Sequence, residues 1–227
     1  MDALADKLVE EMNVDTAFSI GGIDIAESVA VTWIIMAAFL LVCLWWTHGM
    51  TVFHISRKQA ALEAAVGFIR DMVGGFLGEE GKAYIPYLSS VLVYLAIANL
   101  ISILGFKPPT KDLNVTIALS LMSIVLIEYA GLHKKGVKGF LHSFLEPVPV
   151  IAPINVLEIF IRPLSLCMRL FGNVLGAFVV MALIETVAPV FIPVIFSAYF
   201  DVFDGLIQAY VFVFLTALFI KESLDNN

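Results

Sequence analysis

The chain has 227 residues, 60% of them hydrophobic, with a mean hydropathy of +0.96 and a formal net charge of -7. Soluble globular domains are only about half apolar, so a polytopic helical membrane protein is expected. The lack of period-2 alternation excludes a transmembrane barrel, and the scattered basic residues leave no nucleic-acid footprint.

Residues 1–25 are polar and acidic, with Asp2, Asp6, Glu10, Glu11 and Asp15, and a short helix is expected at 2–12. No basic stretch, short apolar run and cleavage site follow one another there, so no cleavable signal peptide is expected. Span one runs from Ser28 to Trp46, with Trp33, Trp45 and Trp46 as interfacial anchors. Arg57 to Lys82 mixes Arg57, Lys58, Glu63, Arg70 and Asp71 with Ala, Leu, Val and Phe, which predicts an amphipathic helix on the membrane surface. Span two covers Ile85–Leu104, and the Lys107-Pro108-Pro109-Thr110 stretch ends it. Span three covers Leu113–Leu132 and gives way to His133-Lys134-Lys135-Gly136-Val137-Lys138.

Two longer apolar segments follow, Pro153–Val187 and Pro189–Ile220. Each exceeds ~30 residues, or roughly 45–50 Å as helix, so each must tilt steeply or lie partly in the membrane plane. Pro189 and Pro193 mark the apex between them. The expected fold is therefore all-α: a single membrane domain over 1–227, with about five membrane-embedded helices and one surface helix. Residues 1–25 form an outer N-terminal segment, 57–82 a helix at the cytoplasmic face, and 153–220 a long terminal hairpin.

Lysine and arginine set the orientation. With the ends of spans one and three inside, Arg57, Lys58, Arg70, Lys82, Lys134, Lys135, Lys138 and Lys221 are cytoplasmic, and only Lys7, Lys107 and Lys111 are outside. The positive-inside rule then places the N-terminus outside, the C-terminus in the cytoplasm and the hairpin apex outside.

Arg169 lies deep in an apolar stretch, where a cation costs at least ~2.5–3.5 kcal/mol. Such residues face protein or a water-filled cavity and mark ion pathways. At 100° per residue, Asn173 falls at about +40° from Arg169, Gly176 at about -20°, Ser165 at about -40°, Arg162 at about +20° and Glu158 at about -20°. All share one face, whereas Glu185 falls near the opposite side. On the last helix, Ser197, Asp204, Gly205 and Gln208 lie within about 60° of Asp201. Folding the hairpin at Ala188 matches Arg169 in depth with Gln208, Asn173 with Asp204, and Gly176 with Asp201. If the two helices run side by side, the stripes line one polar seam.

The string Arg162-Pro163-Leu164-Ser165-Leu166-Cys167-Met168-Arg169-Leu170-Phe171-Gly172-Asn173 resembles the signature of subunit a of F-type ATP synthases. Pro109–Thr116, with Asp112, Asn114 and Thr116, is similar to the family's segment leading into its third span. Gln208-Ala209-Tyr210-Val211-Phe212 with Leu215-Thr216 resembles its last helix, and the order of spans fits over essentially the whole chain. The resemblance implies the static, ion-channelling half of a rotary motor. Its hairpin packs on a rotating ring of c subunits, each with one ion-binding carboxyl group, and two offset half-channels join that carboxyl to opposite sides of the membrane. The implied partners are the c-ring, b-type peripheral stalk subunits, the other ATP synthase subunits and the bilayer. The coupling ion is a proton or a sodium ion. Arg169 becomes the essential stator arginine, Gln208 its partner on the last helix and Asn173 the amide below it. Many relatives carry an acid shortly after Leu-Phe-Gly-Asn, but Val174-Leu175-Gly176-Ala177-Phe178 has none. Several have His or Glu where this chain has Asp201, and Asp204 adds a second acid; the outer path is expected to use these two.

Other readings compete. Arg169 can instead form a purely structural ion pair with Asp201, Asp204 or Glu158. Gln208 and Asn173 can be interhelical glue. Glu158 and Arg162 can be an i,i+4 pair at the inner interface. Asn99 and Glu128 can line an interior gap. A stand-alone ion-coupled secondary transporter is the main rival function, against which no internal repeat or broken-helix substrate site is found. No P-loop is present, so nucleotide chemistry falls to partner subunits and the chain alone is not an enzyme. No metal or cofactor is expected: Cys43 and Cys167 read as small apolar residues, and His48, His54, His133 and His142 lack ligand spacing.

Overall fold

The computed structural model describes residues 16–20, 23–51, 56–104, 106–143, 152–187 and 192–225. The helix expected at 2–12 and the hairpin apex lie outside the described residues. The chain is all-α and polytopic, with five helices among the described residues long and apolar enough to cross a membrane. One departure is a small antiparallel β-hairpin, β1 (Thr16–Ile20) and β2 (Ile23–Ala26), leading directly into the first helix. Its signal in the sequence is the Gly21-Gly22 pair between two short runs rich in apolar residues, which the acidic composition of residues 1–25 overshadows.

Helix α1 (Glu27–Thr47) is held mainly through Val31 and Ile35, which pack with Ala98. Most of its other side chains are exposed, Trp33, Trp45 and Trp46 among them, as a helix in lipid requires. Helix α2 (Arg57–Leu77) opens on Ser56, whose hydroxyl accepts from the Gln59 amide, an N-cap. Gly78 ends it at φ 70°, a left-handed conformation that glycine adopts without penalty. This is the expected amphipathic helix. Val73 and Leu77 are buried, and the Phe76 ring meets Tyr210 and Phe214 edge-on.

Helix α3 (Ile85–Leu100) starts with Pro86 in its first turn, where a missing N–H costs nothing. A 3₁₀ turn at Pro109–Lys111 then leads to α4 (Leu113–Ser143). Asp112 begins α4, accepting from the Asn114 N–H at 2.9 Å, while the Ser28 hydroxyl donates to its other oxygen at 2.5 Å. Gly136 (φ 67°) breaks α4 within the basic stretch. Helix α5 (Ala152–Val187) carries Pro163 internally. The last segment is α6 (Ile192–Ala198), a π-helical stretch at Tyr199–Asp204, and α7 (Gly205–Leu224).

The core gathers on α7. Phe212, Val213, Ala217 and Ile220 are fully buried with Leu88 and Leu95 of α3 and Ile127 of α4. Helix α7 packs against α2, α3 and α4, whereas α5 leans chiefly on α4. The long hairpin is thus splayed: α5 and α7 touch at few points, and α4 supports both. This departs from the side-by-side pairing expected from sequence. Sequence marks which residues are apolar but not which neighbour a lipid-length helix selects.

Candidate functional site

Helix α5 turns Leu166, Cys167 and Leu170 inward. Cys167 Sγ lies 3.5 Å from the Thr116 hydroxyl of α4. The same rotation sends the polar stripe outward: Ser165, Gly172, Asn173 and Gly176 are exposed and Arg169 is half-exposed. Around them lie exposed apolar residues, including Phe160, Leu164 and Met168. Neither Gly172 nor Gly176 has any atom of another residue near the place a Cβ would occupy. The Arg169 stripe is therefore a flat, small-residue surface on the open side of α5.

Among the described residues, Arg169 makes no ion pair. Its three proposed structural partners are placed otherwise: Glu158 lies 3.4 Å from Arg162, Asp201 accepts from the Ser197 hydroxyl at 2.6 Å, and Asp204 lines a separate pocket. The purely structural ion pair thus finds no support in the geometry.

Gln208 is 4% exposed and accepts at its side-chain oxygen from the Asn173 amide at 2.5 Å. Its own amide nitrogen is buried without a hydrogen-bond partner. The stripes of α5 and α7 therefore meet at Asn173 and Gln208, one turn from the depth match expected from sequence. The π-helical stretch at Tyr199–Asp204 shifts the register in that direction, because i→i+5 hydrogen bonds fit more residues into each turn and lower the rise per residue.

On one side of that contact is a cavity of about 60 Å³. Asn99, Ser102, Thr110, Phe178, Asp201, Asp204 and Gln208 are among its walls. Asn99 holds the cavity together. Its amide donates to the Gly205 carbonyl at 2.8 Å, and its side-chain oxygen accepts from the Thr110 hydroxyl at 2.9 Å. A Cβ at Gly205 would stand 2.9 Å from the Asn99 Cβ, so glycine permits this close crossing of α3 and the last helix. Asn99, a candidate from sequence for lining an interior gap, is in this cavity's wall, and Thr110 is a cavity residue to which sequence reading gave no role. A buried amide inside an apolar span demands partners, and that demand was the available signal.

On the other side of Arg169, Arg162 joins α5 to the end of α7. Its guanidinium donates to Glu222 at 3.0 Å, lies 3.4 Å from Glu158 and sits 5.0 Å from the Phe219 ring centroid. Glu128 of α4 lies within its electrostatic reach. Glu222 and Glu128 extend the Glu158–Arg162 pair into a four-residue charged cluster. The side chain of Glu185 lies outside the described residues. No group of three metal-ligating side chains occurs among the described residues.

A family model described as the ATP synthase A chain matches residues 29–221, which takes in nearly all of the five spans. The chain belongs to this family. The sodium ion specific ATP synthase subunit a of Propionigenium modestum is 33% identical to it, over 94% of this chain and 79% of that protein. An ATP synthase subunit a of Acaryochloris marina is 35% identical over 85% and 82%, and that of Moorella thermoacetica 33% over 92% and 96%. Family membership makes the chain a multi-pass membrane component of the ATP synthase complex, without catalytic chemistry of its own. It also displaces the stand-alone transporter reading.

Proposed function

We propose that this chain is the ion-channelling stator of the complex, and that its Arg169 stripe faces a ring of c subunits. The observation that carries this reading is Arg169 itself: a half-exposed arginine with no ion pair among the described residues, on a small-residue face of an apolar helix. Arginine is a permanent cation, so an isolated one in hydrocarbon needs a carboxylate from outside the chain. A ring carboxyl passing that cation is driven to its ionised form and releases its ion. The fixed charge also keeps ions from leaking between the two access paths.

The cavity of Asp201, Asp204 and Gln208 is the access path on the side of Lys107 and Lys111. The Glu158, Arg162, Glu222 and Glu128 cluster, with Ser165 exposed between it and Arg169, marks the other. The coupling ion is a proton or a sodium ion; the sodium-specific relative keeps the second in view. The peripheral stalk's b-type subunits hold the chain still. The N-terminus lies outside and the C-terminus in the cytoplasm.

The test is Arg169→Ala in the whole complex, reconstituted in vesicles. ATP-driven ion pumping and ATP synthesis are lost while the c-ring still copurifies. Near-normal pumping by that variant would overturn the assignment.

A further inference from the structure

The 3₁₀ turn beside the cavity carries a charge that the ion path does not require. Pro108, Thr110 and Phe178 all belong to the cavity wall. Lys111 follows Thr110, and its ammonium lies 3.9 Å from the centroid of the Phe178 ring on α5. The side chain therefore reaches from one wall to a ring of another. Its base is held firmly: the Lys111 N–H donates to the Pro108 carbonyl at 3.0 Å, and the Asp112 N–H to Pro109 at 3.1 Å. Thr110 is tied to Asn99 and Asp112 to Ser28. Lys107, on the same lip, lies 3.9 Å from Glu27.

We propose that Lys111 is a specificity-setting residue of the outer path, a fixed positive charge that limits how readily a cation occupies the Asp201–Asp204 cavity. This rests on the reading of that cavity as one end of the ion path. Two carboxylates in a narrow polar gap attract cations strongly, and a site that conducts must also let them go. A lysine ammonium at the rim offsets part of that attraction. Low-dielectric walls of α-helix and lipid extend its reach beyond what water allows. For any two sites about 10 Å apart, a unit charge acting through a dielectric between ~40 and 80 changes cation occupancy about two- to fourfold.

The experiment uses the whole complex in liposomes, with ATP synthesis driven by a fixed membrane potential. The initial rate is measured against outer proton concentration and, separately, against outer sodium chloride. Lys111→Met should lower the half-saturating concentration of the coupling cation about two- to fourfold at low ionic strength, leaving the maximal rate unchanged. Lys111→Glu should lower it further, and Lys111→Arg should match the wild type. Raising ionic strength with choline chloride should erase the differences, because screening shortens the reach of a rim charge to a few ångströms. If Lys111 only holds the Phe178 ring, Lys111→Met and Phe178→Leu will both lower the maximal rate without shifting half-saturation, and the proposal fails. If Asp201→Asn with Asp204→Asn shifts half-saturation while the Lys111 variants do not, the proposal fails but the cavity reading survives. If none of these variants shifts it, both fail.

Discussion

Arg169 and Gln208 show what a single residue reveals. Both are polar side chains in apolar helices, and both stand where two elements meet an open surface or a cavity. Arg169→Lys should be severely impaired in ATP synthesis, because an ammonium is a point charge and cannot present the guanidinium's fork. Synthesis at half the wild-type rate or better would show that charge alone suffices. Asp201→Asn combined with Asp204→Asn should slow ion flux through vesicles without uncoupling hydrolysis from pumping. Wild-type flux in the double variant would move the path elsewhere. Gly172→Ala and Gly176→Ala fill open space in this chain, so its thermal stability should hold or rise slightly. A loss of ATP synthesis in those variants would therefore come from a partner packed on that face, and unchanged synthesis would argue that no partner packs there. At this scale Arg169, Asn173 and Gln208 were legible because a polar atom in hydrocarbon announces itself in the sequence. Asn99 was visible in the same way, but its partner Gly205 is 106 residues away, and no helical periodicity reaches that far.

Among the elements, helix ends were more legible than helix neighbours. The Pro108–Pro109 break and the start of the amphipathic helix at Arg57 appear where local chemistry puts them. Helix α4, however, does not end at Leu132: it runs through the basic stretch to Ser143, bending at Gly136, and the amphipathic helix stops at Leu77, short of Lys82. The packing of α7 among α2, α3 and α4, and the separation of α5 from α7, depend on shape complementarity spread over many side chains. One close crossing tests this: Gly205→Ala drives a methyl into Asn99, and such overpacking typically costs about 1–3 kcal/mol. The melting temperature of the solubilised complex should fall, and an unchanged value would mean that α3 and the last helix yield easily. The Arg162–Glu222 contact is a weaker tie, because Glu222 is half-exposed and water screens it. Glu222→Gln should cost less than about 1 kcal/mol. Arg162→Leu should cost more, since it also removes the cation over Phe219 and strands Glu158.

For the molecule as a whole, composition was enough for class and span count, since five apolar helices follow from length and hydropathy alone. Orientation is the part that a chain without its membrane leaves to charge asymmetry. In a background with Cys43 and Cys167 replaced, single cysteines at Lys135 and Asp225 should react with impermeant reagents from the cytoplasmic side, and one at Lys111 from the outside. The reverse pattern would invert the molecule and exchange the two access paths. The inward packing of Leu166 and Leu170 has a mechanical consequence whichever way the molecule points. Helix α5 presents its polar face to the open side and rests its back on α4, which also braces α7. A sideways thrust on Arg169 passes through the buried side of α5 into its main neighbour, α4, and from there into α7, where the core gathers. Helix α5 is a bearing pad and α4 its mount, so the stiffness of the arginine is set by residues that never meet an ion.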